Sequence, residues 1–410
     1  MTLQHPIVIE GAIQEYAWGG YDFIAQLLRQ SKADPKKPWA ELWLGAHPKG
    51  PSRSTLGNLH QLIEKNGLEI LGDEVAMIFE HRLPFLLKIL DVRQMLSIQV
   101  HPTKAAAELG FAHEEQHGPS RTAPNRNYRD QNHKPELALA LTDFYLLHGF
   151  KSEEKIAETL DEIPGWDALK PILHKEGVKG LYEFVMAATQ VDINSWLEPL
   201  AERLSVENLT DKSSPHFWAK RGFIQHGTKD CYDRGIFSVY WFNLVALSPG
   251  EAIFQAAGIP HAYLEGVCVE IMANSDNVLR GGLTVKHIDV PELLKHVQTN
   301  VVIPQILKGT QEDMAALNSE APVKSFPSNW KIYPTPAPDF LLGQIGLQEN
   351  ERLFESKGPA IYLVYKGEVL INNAGKSKVS PGQGIFVPAG VEFDAVANRE
   401  TVIYRATANL

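Results

Sequence analysis

Four side chains, far apart in the chain, share one chemistry. Gln99 and His101 sit in LSIQVHP, Glu136 closes the polar run YRDQNHKPE at 128–136, and His261 follows a Gly-x-Pro turn in GIPHAY. In a strand, side chains at i and i+2 leave the same face about 6–7 Å apart, so Gln99 and His101 can grip one ion. Glu136 opens the apolar segment ELALA, where a carboxylate can face into a sandwich. Each residue also has an ordinary reading. Gln99 would be a solvent-face residue and His101 a hydrogen-bonded strand end. Glu136 would pair with Lys134 or Arg129 at the surface, and His261 would be a satisfied core histidine. As a set they offer two nitrogens and two oxygens without a thiolate. That suits Zn²⁺ and also accommodates Mn, Fe or Co. Only one ligand is anionic, so a divalent ion keeps net positive charge and stays a strong Lewis acid with room for further oxygens. The spacing is not that of a zinc finger.

The elements that must position these residues change along the chain. Residues 1–150 read as strands and turns, with LPFLLKIL (83–90) and MLSIQV (95–100) as short aliphatic strands and a short helix over 60–71. From residue 151 the pattern is helical. Ser152 can cap a start, Ile156, Leu160 and Ile163 follow at helical spacing, and LYEFVMAAT (181–189) and SWLEPLAERL (195–204) continue it up to the polar stretch 209–217. Strands return with FSVYWFNLVAL (237–247), followed by one short helix within 284–312. Residues 320–340 are proline-rich and read as a connection, and 341–410 as short alternating strands.

An internal repeat ties two of these regions together. SPGEAIFQAAGIPH begins at Ser248 and SPGQGIFVPAGVEF at Ser380, a constant offset of 380 − 248 = 132. A turn, a strand and a second turn recur in each, which implies two related β-sandwiches of jelly-roll type. His261 of the first copy aligns with Phe393 of the second, so one sandwich keeps a ligand where the other has an aromatic. The expected fold is mainly β with a helical insert: two jelly-roll β-sandwiches plus an α-helical domain. The expected divisions are 1–150 with 230–320 as the discontinuous catalytic β domain, 151–229 as the helical insert, and 321–410 as the C-terminal β domain.

With 410 residues, the chain is too long for one ordinary core. Its 44% hydrophobic and 21% charged residues are those of a soluble globular protein. A net charge of −10 argues against nucleic acid or an anionic membrane as the main partner but leaves room for a small anionic substrate in a locally basic pocket. Cys231 and Cys268 read as two free thiols rather than a disulfide. Residues 1–20 show no signal-peptide pattern and no apolar run approaches about 18 residues, so a cytoplasmic location is expected.

YRDQNHKPE (128–136) resembles the signature of the type I mannose-6-phosphate isomerases. So do QEYAWGG (14–20), AELWLGAHPKGPS (40–52), LPFLLKIL, LSIQVHP, GIPHAYLEG (258–266) and SDNVLRGGLTVKHIDV (275–290), in the family's order over about 280 residues. The resemblance implies a cupin-like zinc enzyme holding one Zn²⁺ per chain on Gln99, His101, Glu136 and His261, with Arg280 assigned to catalysis. The implied reaction is mannose 6-phosphate ⇌ fructose 6-phosphate through an enediol.

On that basis Lys134, His133 and Tyr263 are further catalytic candidates, with His133 and Tyr263 as acid–base groups. Lys88, Lys286 and Lys134 are candidates for phosphate or hydroxyl contacts. Glu41 and Ser97 are candidates for hydroxyl contacts or ligand support, and Trp18 for packing on the sugar. The plain alternative for Arg280 is an ion pair with Asp276, for each lysine a solvated amine, and for Trp18 a core residue. Val285 stands where the family often has proline. The partner expected is a small phosphorylated sugar, with no nucleic acid or membrane, and the chain is expected to be a monomer. Two rival readings use the same residues: a metal-dependent cupin-type oxygenase, and a sugar-phosphate binding protein without turnover.

Overall fold

The structure is a computed structural model, and it describes residues 3–410 except 33, 35, 229, 312–328, 356–357 and 373–375. The strand His261–Ala273 organises the sheet that carries the candidate ligands. Its first residues pair with Phe144–Phe150 and, through His261, with Gln99–Val100. Its last residues, Gly266 to Ala273, pair with Phe85–Val92 on one side and with Glu136–Ala140 on the other. One strand therefore passes from one layer of a sandwich to the other. The turn falls at Gly266, at φ 123°, beside a register shift between Tyr263 and Glu265. Only glycine adopts that backbone freely, and a Cβ there would lie 2.4 Å from the Asp143 carbonyl oxygen.

The layer containing Glu136–Ala140 continues outward to Ala252–Gln255 and Ile306–Leu307 on one side, and to Glu41–Gly45 and Ala12–Gln14 on the other. All five residues of Glu136–Ala140 are buried, which explains its unbroken apolar run after the one carboxylate.

The second sandwich packs a sheet running from Asn329–Tyr333 through Leu341–Leu347, Thr401–Thr407, Ala360–Lys366 and Gln383–Val387 against a sheet built on Phe393–Ala397 and Val369–Asn372. The N-terminal strand Ile7–Glu10 pairs with Gln383–Val387, and Arg53–Ser54 pairs with it in turn. The first residues of the chain thus lie in the C-terminal sheet, across the division expected near 321. That division itself lies outside the described residues, as does most of the first half of the proline-rich connection. One continuous core, including Leu42, Leu87, Leu137 and Ile271 from the first sandwich and Tyr333, Phe340, Leu363 and Phe386 from the second, joins the two.

The internal repeat is a repeat in three dimensions. In the first copy the Ser248 N–H donates to the Glu251 carboxylate (3.0 Å), and in the second the Ser380 N–H donates to the Gln383 side-chain oxygen (2.9 Å). Each turn leads into a strand, Ala252–Gln255 and Gln383–Val387.

The helical insert contains Glu153–Glu162, Lys170–Ala187, Gln190–Val206 and Pro215–His226, with Ser152 capping the first at the Lys155 N–H. Its core holds Trp166, Trp218 and Trp241. The run 237–247 differs from the expected strand: Gly235–Trp241 is a helix, and only Phe242–Leu247 is extended. All seven helical residues are buried, with Phe237 4.6 Å from the Trp166 ring. A run this apolar, with only Ser238 and Asn243 to interrupt it, has no period to read, so packing decided against aromatic strand propensity. A second helix, Lys104–His117, lies in a region read as strands and turns. It buries only Ala107 and Phe111, too sparse a pattern to register. Both cysteines are free.

Candidate metal centre and cavity

His101, Glu136 and His261 come together from three elements. Their ligand atoms all lie within 4.8 Å of one another, and all three residues are buried. His101 Nε2 is 3.5 Å from Glu136 Oε1, and His261 Nε2 is 3.3 Å from Glu136 Oε2. Gln99 is the ladder partner of His261 on one side and of Arg280 on the other. It lines the cavity next to the three.

The donor set fits a metal ion on an observation of its own. The Nδ1 atoms of His101 and His261 each lie 2.9 Å from a backbone carbonyl, of Asn277 and Ile259 respectively. A carbonyl can only accept, so Nδ1 carries a proton in each ring and Nε2 is the atom free to ligate. Both Nε2 atoms are buried without a hydrogen-bond partner. Two buried imidazole nitrogens without a partner beside one 3%-exposed carboxylate are costly unless a cation fills the gap. Burial lowers His101 to about 4, against the raising effect of Glu136, so the imidazole stays neutral and able to ligate. Burial alone would raise Glu136, but Lys134 and then His101 hold it well below the usual carboxylate range. It is an anion.

Next to this centre, and joined to it through Gln99 and Lys134, lies a cavity of about 700 Å³. Of the sequence candidates, Trp18, Glu41, Lys88, Ser97, Gln99, Lys134, Arg280 and Lys286 line it. His133 and Tyr263 do not. His133 Nε2 donates instead to Asp339 Oδ2 (2.8 Å). Tyr263 is buried in the core with Phe144 and Leu146, and burial, reinforced by Glu270, pushes its phenol well above its ordinary value. Trp18 stacks on Tyr16 at 5.8 Å to form an aromatic wall.

The cations of the cavity fall into two groups. Lys88 sits between carboxylates, 2.8 Å from Glu270 and 3.5 Å from Glu41. Burial would lower its pKa, but Glu270 and Glu41 outweigh it and hold the ammonium above its ordinary range. Lys134 is 2.9 Å from Glu136 Oε1. Arg280 and Lys286 lack such compensation. Burial lowers both, as does the nearby Arg129 charge, and Arg280 adds to the effect on Lys286. No described carboxylate lies within ion-pair distance of any of these three, and Arg280 Nε is buried without a partner. Asp276, the alternative partner for Arg280, pairs with Lys49 (2.7 Å) and His47 (3.6 Å) instead.

Several residues of the site carried no local signal. Asn277 accepts from the Arg129 N–H (2.7 Å) and donates to the Asp130 and Asn132 carbonyls (2.8 and 2.9 Å), which fixes the polar run against the 275–280 segment. Asp233 accepts from the N–H groups of Gly235, Leu283 and Thr284, which clamps the Val285–Lys286 loop to the helical insert. Gly282 (φ 126°) packs against Gly235 so closely that a Cβ would lie 2.5 Å from its Cα. Val285 itself is 94% exposed at the cavity rim. His148 faces His261 across the ladder and hydrogen-bonds Gln255 (2.7 Å), which in turn lies opposite Glu136. Asn277 and Gly282 fall in the sequence blocks of the resemblance without standing out there, whereas Asp233, His148 and Gln255 lie outside them.

Comparison with known proteins places this architecture. Residues 7–153 match the family profile described as phosphomannose isomerase type I, catalytic domain. The mannose-6-phosphate isomerase of Salmonella typhimurium is 37% identical over 386 residues, covering 92% of this chain and 93% of that protein. The human mannose-6-phosphate isomerase is 31% identical over 432 residues, covering 96% of each. A solved structure of a phosphomannose isomerase variant from Salmonella typhimurium superposes with a TM-score of 0.85 at 31% identity, over 99% of this chain and 100% of that one. A zinc-bound mannose 6-phosphate isomerase structure gives 0.83 at 32% identity over the same shares.

Proposed function

This chain belongs to the type I phosphomannose isomerases, and from that premise we infer that it is a zinc-dependent aldose–ketose isomerase converting mannose 6-phosphate to fructose 6-phosphate and back. The observation that carries the reading is the His101–Glu136–His261 cluster next to a cavity with uncompensated positive charge. Gln99 completes the set that would hold one zinc ion. When bound, zinc supplies Lewis acidity that offsets the negative charge developing on the open-chain sugar as its C2 proton leaves. The oxygenase and binding-protein alternatives are not favoured, since the relatives spanning the chain carry isomerase names.

The chain's own residues divide the remaining work. Arg129, Arg280 and Lys286 form a cationic cluster whose mutual repulsion a phosphate dianion would relieve. Guanidinium groups in particular match its oxygens in pairs. Arg280 cannot serve as a base, because it stays protonated. Lys88 cannot easily do so either, since two carboxylates hold its proton. Its ammonium, with Glu41, is placed to donate and accept at sugar hydroxyls. Of the catalytic candidates Lys134, His133 and Tyr263 only Lys134 lies on the cavity wall, where it shares its proton with one carboxylate, Glu136, rather than two, so it is our choice for moving the proton between C2 and C1. Trp18 and Tyr16 supply an apolar face for the sugar and narrow water access.

The test is turnover in D₂O by the zinc-loaded protein. Mannose 6-phosphate should give fructose 6-phosphate, with deuterium entering C1 of the product. Zinc-loaded protein that binds the sugar phosphate and forms no ketose would end the reading. Arg280→Ala should lower kcat/KM by about 10²-fold or more while zinc stays bound, as expected for losing a charge-assisted contact to the phosphate. Equal loss of zinc would make that arginine structural.

A further inference from the structure

We propose that Asp339, from the C-terminal β-sandwich, is a positioning residue for the metal centre: through His133 it fixes the face from which Lys134 and Glu136 enter the site. The inference deepens the isomerase reading and rests on it for the meaning of kcat. It does not need that reading for its effect on metal binding.

Residues 133–136 are the short path between the polar run and the buried strand Glu136–Ala140. Lys134 precedes Pro135, which disfavours helical backbone at Lys134 and biases this path toward extended chain. In extended chain, neighbouring side chains leave opposite faces. The contacts follow that alternation. Lys134 and Glu136 meet each other at 2.9 Å on the cavity side, while His133 points to the other side and donates to Asp339 Oδ2 at 2.8 Å. A one-residue slip would turn Glu136 away from the metal centre and bring His133 to the cavity side in place of Lys134. Something must therefore hold the register at the open end of the strand, where Asn132 and His133 are not in a ladder.

Asp339 is built for that task. It is a buried carboxylate whose one side-chain partner among the described residues is His133. The loop that presents it is braced from within. Asn409 donates from its side chain to the Thr335 and Ala337 carbonyls (3.0 Å each) and from its backbone to Pro338 (2.9 Å), and Thr335 Oγ1 donates to Phe340 (3.4 Å). The next residue, Phe340, is fully buried and 6.5 Å from the Phe254 ring, on the strand that pairs with Glu136–Ala140. Asp339 is thus fixed to the same layer that carries the ligand. Asn277 anchors residues 129–132 from the other side. The polar run is held from both sandwiches, by Asn274, Ser275 and Asn277 of the first and by Asp339 of the second. The second sandwich carries none of the proposed ligands, and this contact gives it a part in the site.

The experiment is a double-mutant cycle on the full-length zinc-loaded protein, using Asp339→Ala, His133→Ala and the pair. Zinc release to a chromogenic chelator is measured without substrate, and kcat and KM are measured separately. Each single variant should speed zinc release and lower kcat by about 10- to 100-fold, the usual scale for groups that orient metal ligands. KM should change little, and the double variant should be no worse than either single one. Asp339→Asn, which keeps an acceptor for the imidazole N–H, should recover most of the loss. A role confined to stability would lower Tm and leave zinc release and kcat untouched, and that result overturns the proposal. So do effects that multiply in the double variant, since they would make His133 act on its own. Should the alanine variants not fold, Asp339→Asn with His133→Gln decides by the same zinc-release readout. That arm stands even if the wild-type protein forms no ketose, in which case the isomerase reading fails and the positioning claim is judged separately.

Discussion

Lys88 is an expensive side chain to bury, and its worth lies in the company it keeps. Glu270 and Glu41 share its ammonium, and the Trp43 indole N–H donates to the same Glu41 oxygen. Lys88→Met should leave two carboxylates buried without their cation. Urea denaturation should show a loss of about 3–5 kcal/mol, the usual scale for breaking a buried ion pair at one end. A neutral result would mean that the carboxylates find water or protons at no cost. Asp91 illustrates the opposite sign. Burial raises its carboxyl to about 6 from 3.8, with only the Phe23 N–H and Lys32 working against the shift. The native state therefore keeps a proton that the unfolded chain gives up between about pH 4 and pH 6. Its stabilising effect is complete below pH 4 and is lost as pH rises through 6. Asp91→Asn should flatten that part of the stability–pH curve and stabilise the protein at pH 7 by roughly 1–2 kcal/mol, allowing for partial solvent screening.

At the scale of elements, the bend in His261–Ala273 decides which residues can meet. Its first half carries His261 toward Gln99, and its second half carries Glu270 toward Lys88. Gly266→Ala would put a methyl against Asp143 and Phe144 in a backbone conformation hostile to side chains. We expect a loss of about 2 kcal/mol or more in thermal or chemical unfolding, together with weaker zinc retention, because both halves of the site shift. Unchanged zinc affinity in a destabilised variant would show that the halves are held independently. The repeat was readable because turn chemistry is local: Gly250 and Gly382 both take positive φ after Ser-Pro. The helix Gly235–Trp241 was not readable, because burial on every side erases the periodicity that separates helix from strand.

For the whole molecule, the apolar cores are expected to hold without the metal. Separate clusters fill the helical insert, the interior of the second sandwich and the junction between the sandwiches, and none contains a candidate ligand. Chelation should abolish activity and leave the far-ultraviolet circular dichroism nearly unchanged. Tm should fall by the amount that mass action sets, about 4 kcal/mol of lost stabilisation for zinc at 1,000 times its Kd. Zinc should restore both. Normal turnover by fully metal-free protein would remove the ion from the mechanism. Unfolding on chelation would show that the sandwich needs it. No described helix is long and apolar enough to cross a membrane.

By itself the sequence determined what depends on near neighbours. Strand runs, the helical texture after Ser152, the two SPG units and the order of the polar blocks are written in residues a few positions apart. The chemistry of Gln, His, Glu and His could be named from side-chain type alone. Tertiary structure decided everything that depends on register and on which way an extended chain faces. It set Lys134 on the cavity wall and His133 on the opposite side, paired Asp276 with Lys49 rather than Arg280, and left Arg129, Arg280 and Lys286 together without a counter-charge. It also joined His133 to Asp339 across 206 positions of chain. The reason is geometric: a strand reverses its faces at every residue, so residue identity fixes what a side chain can do, while pairing with distant strands fixes where it does it.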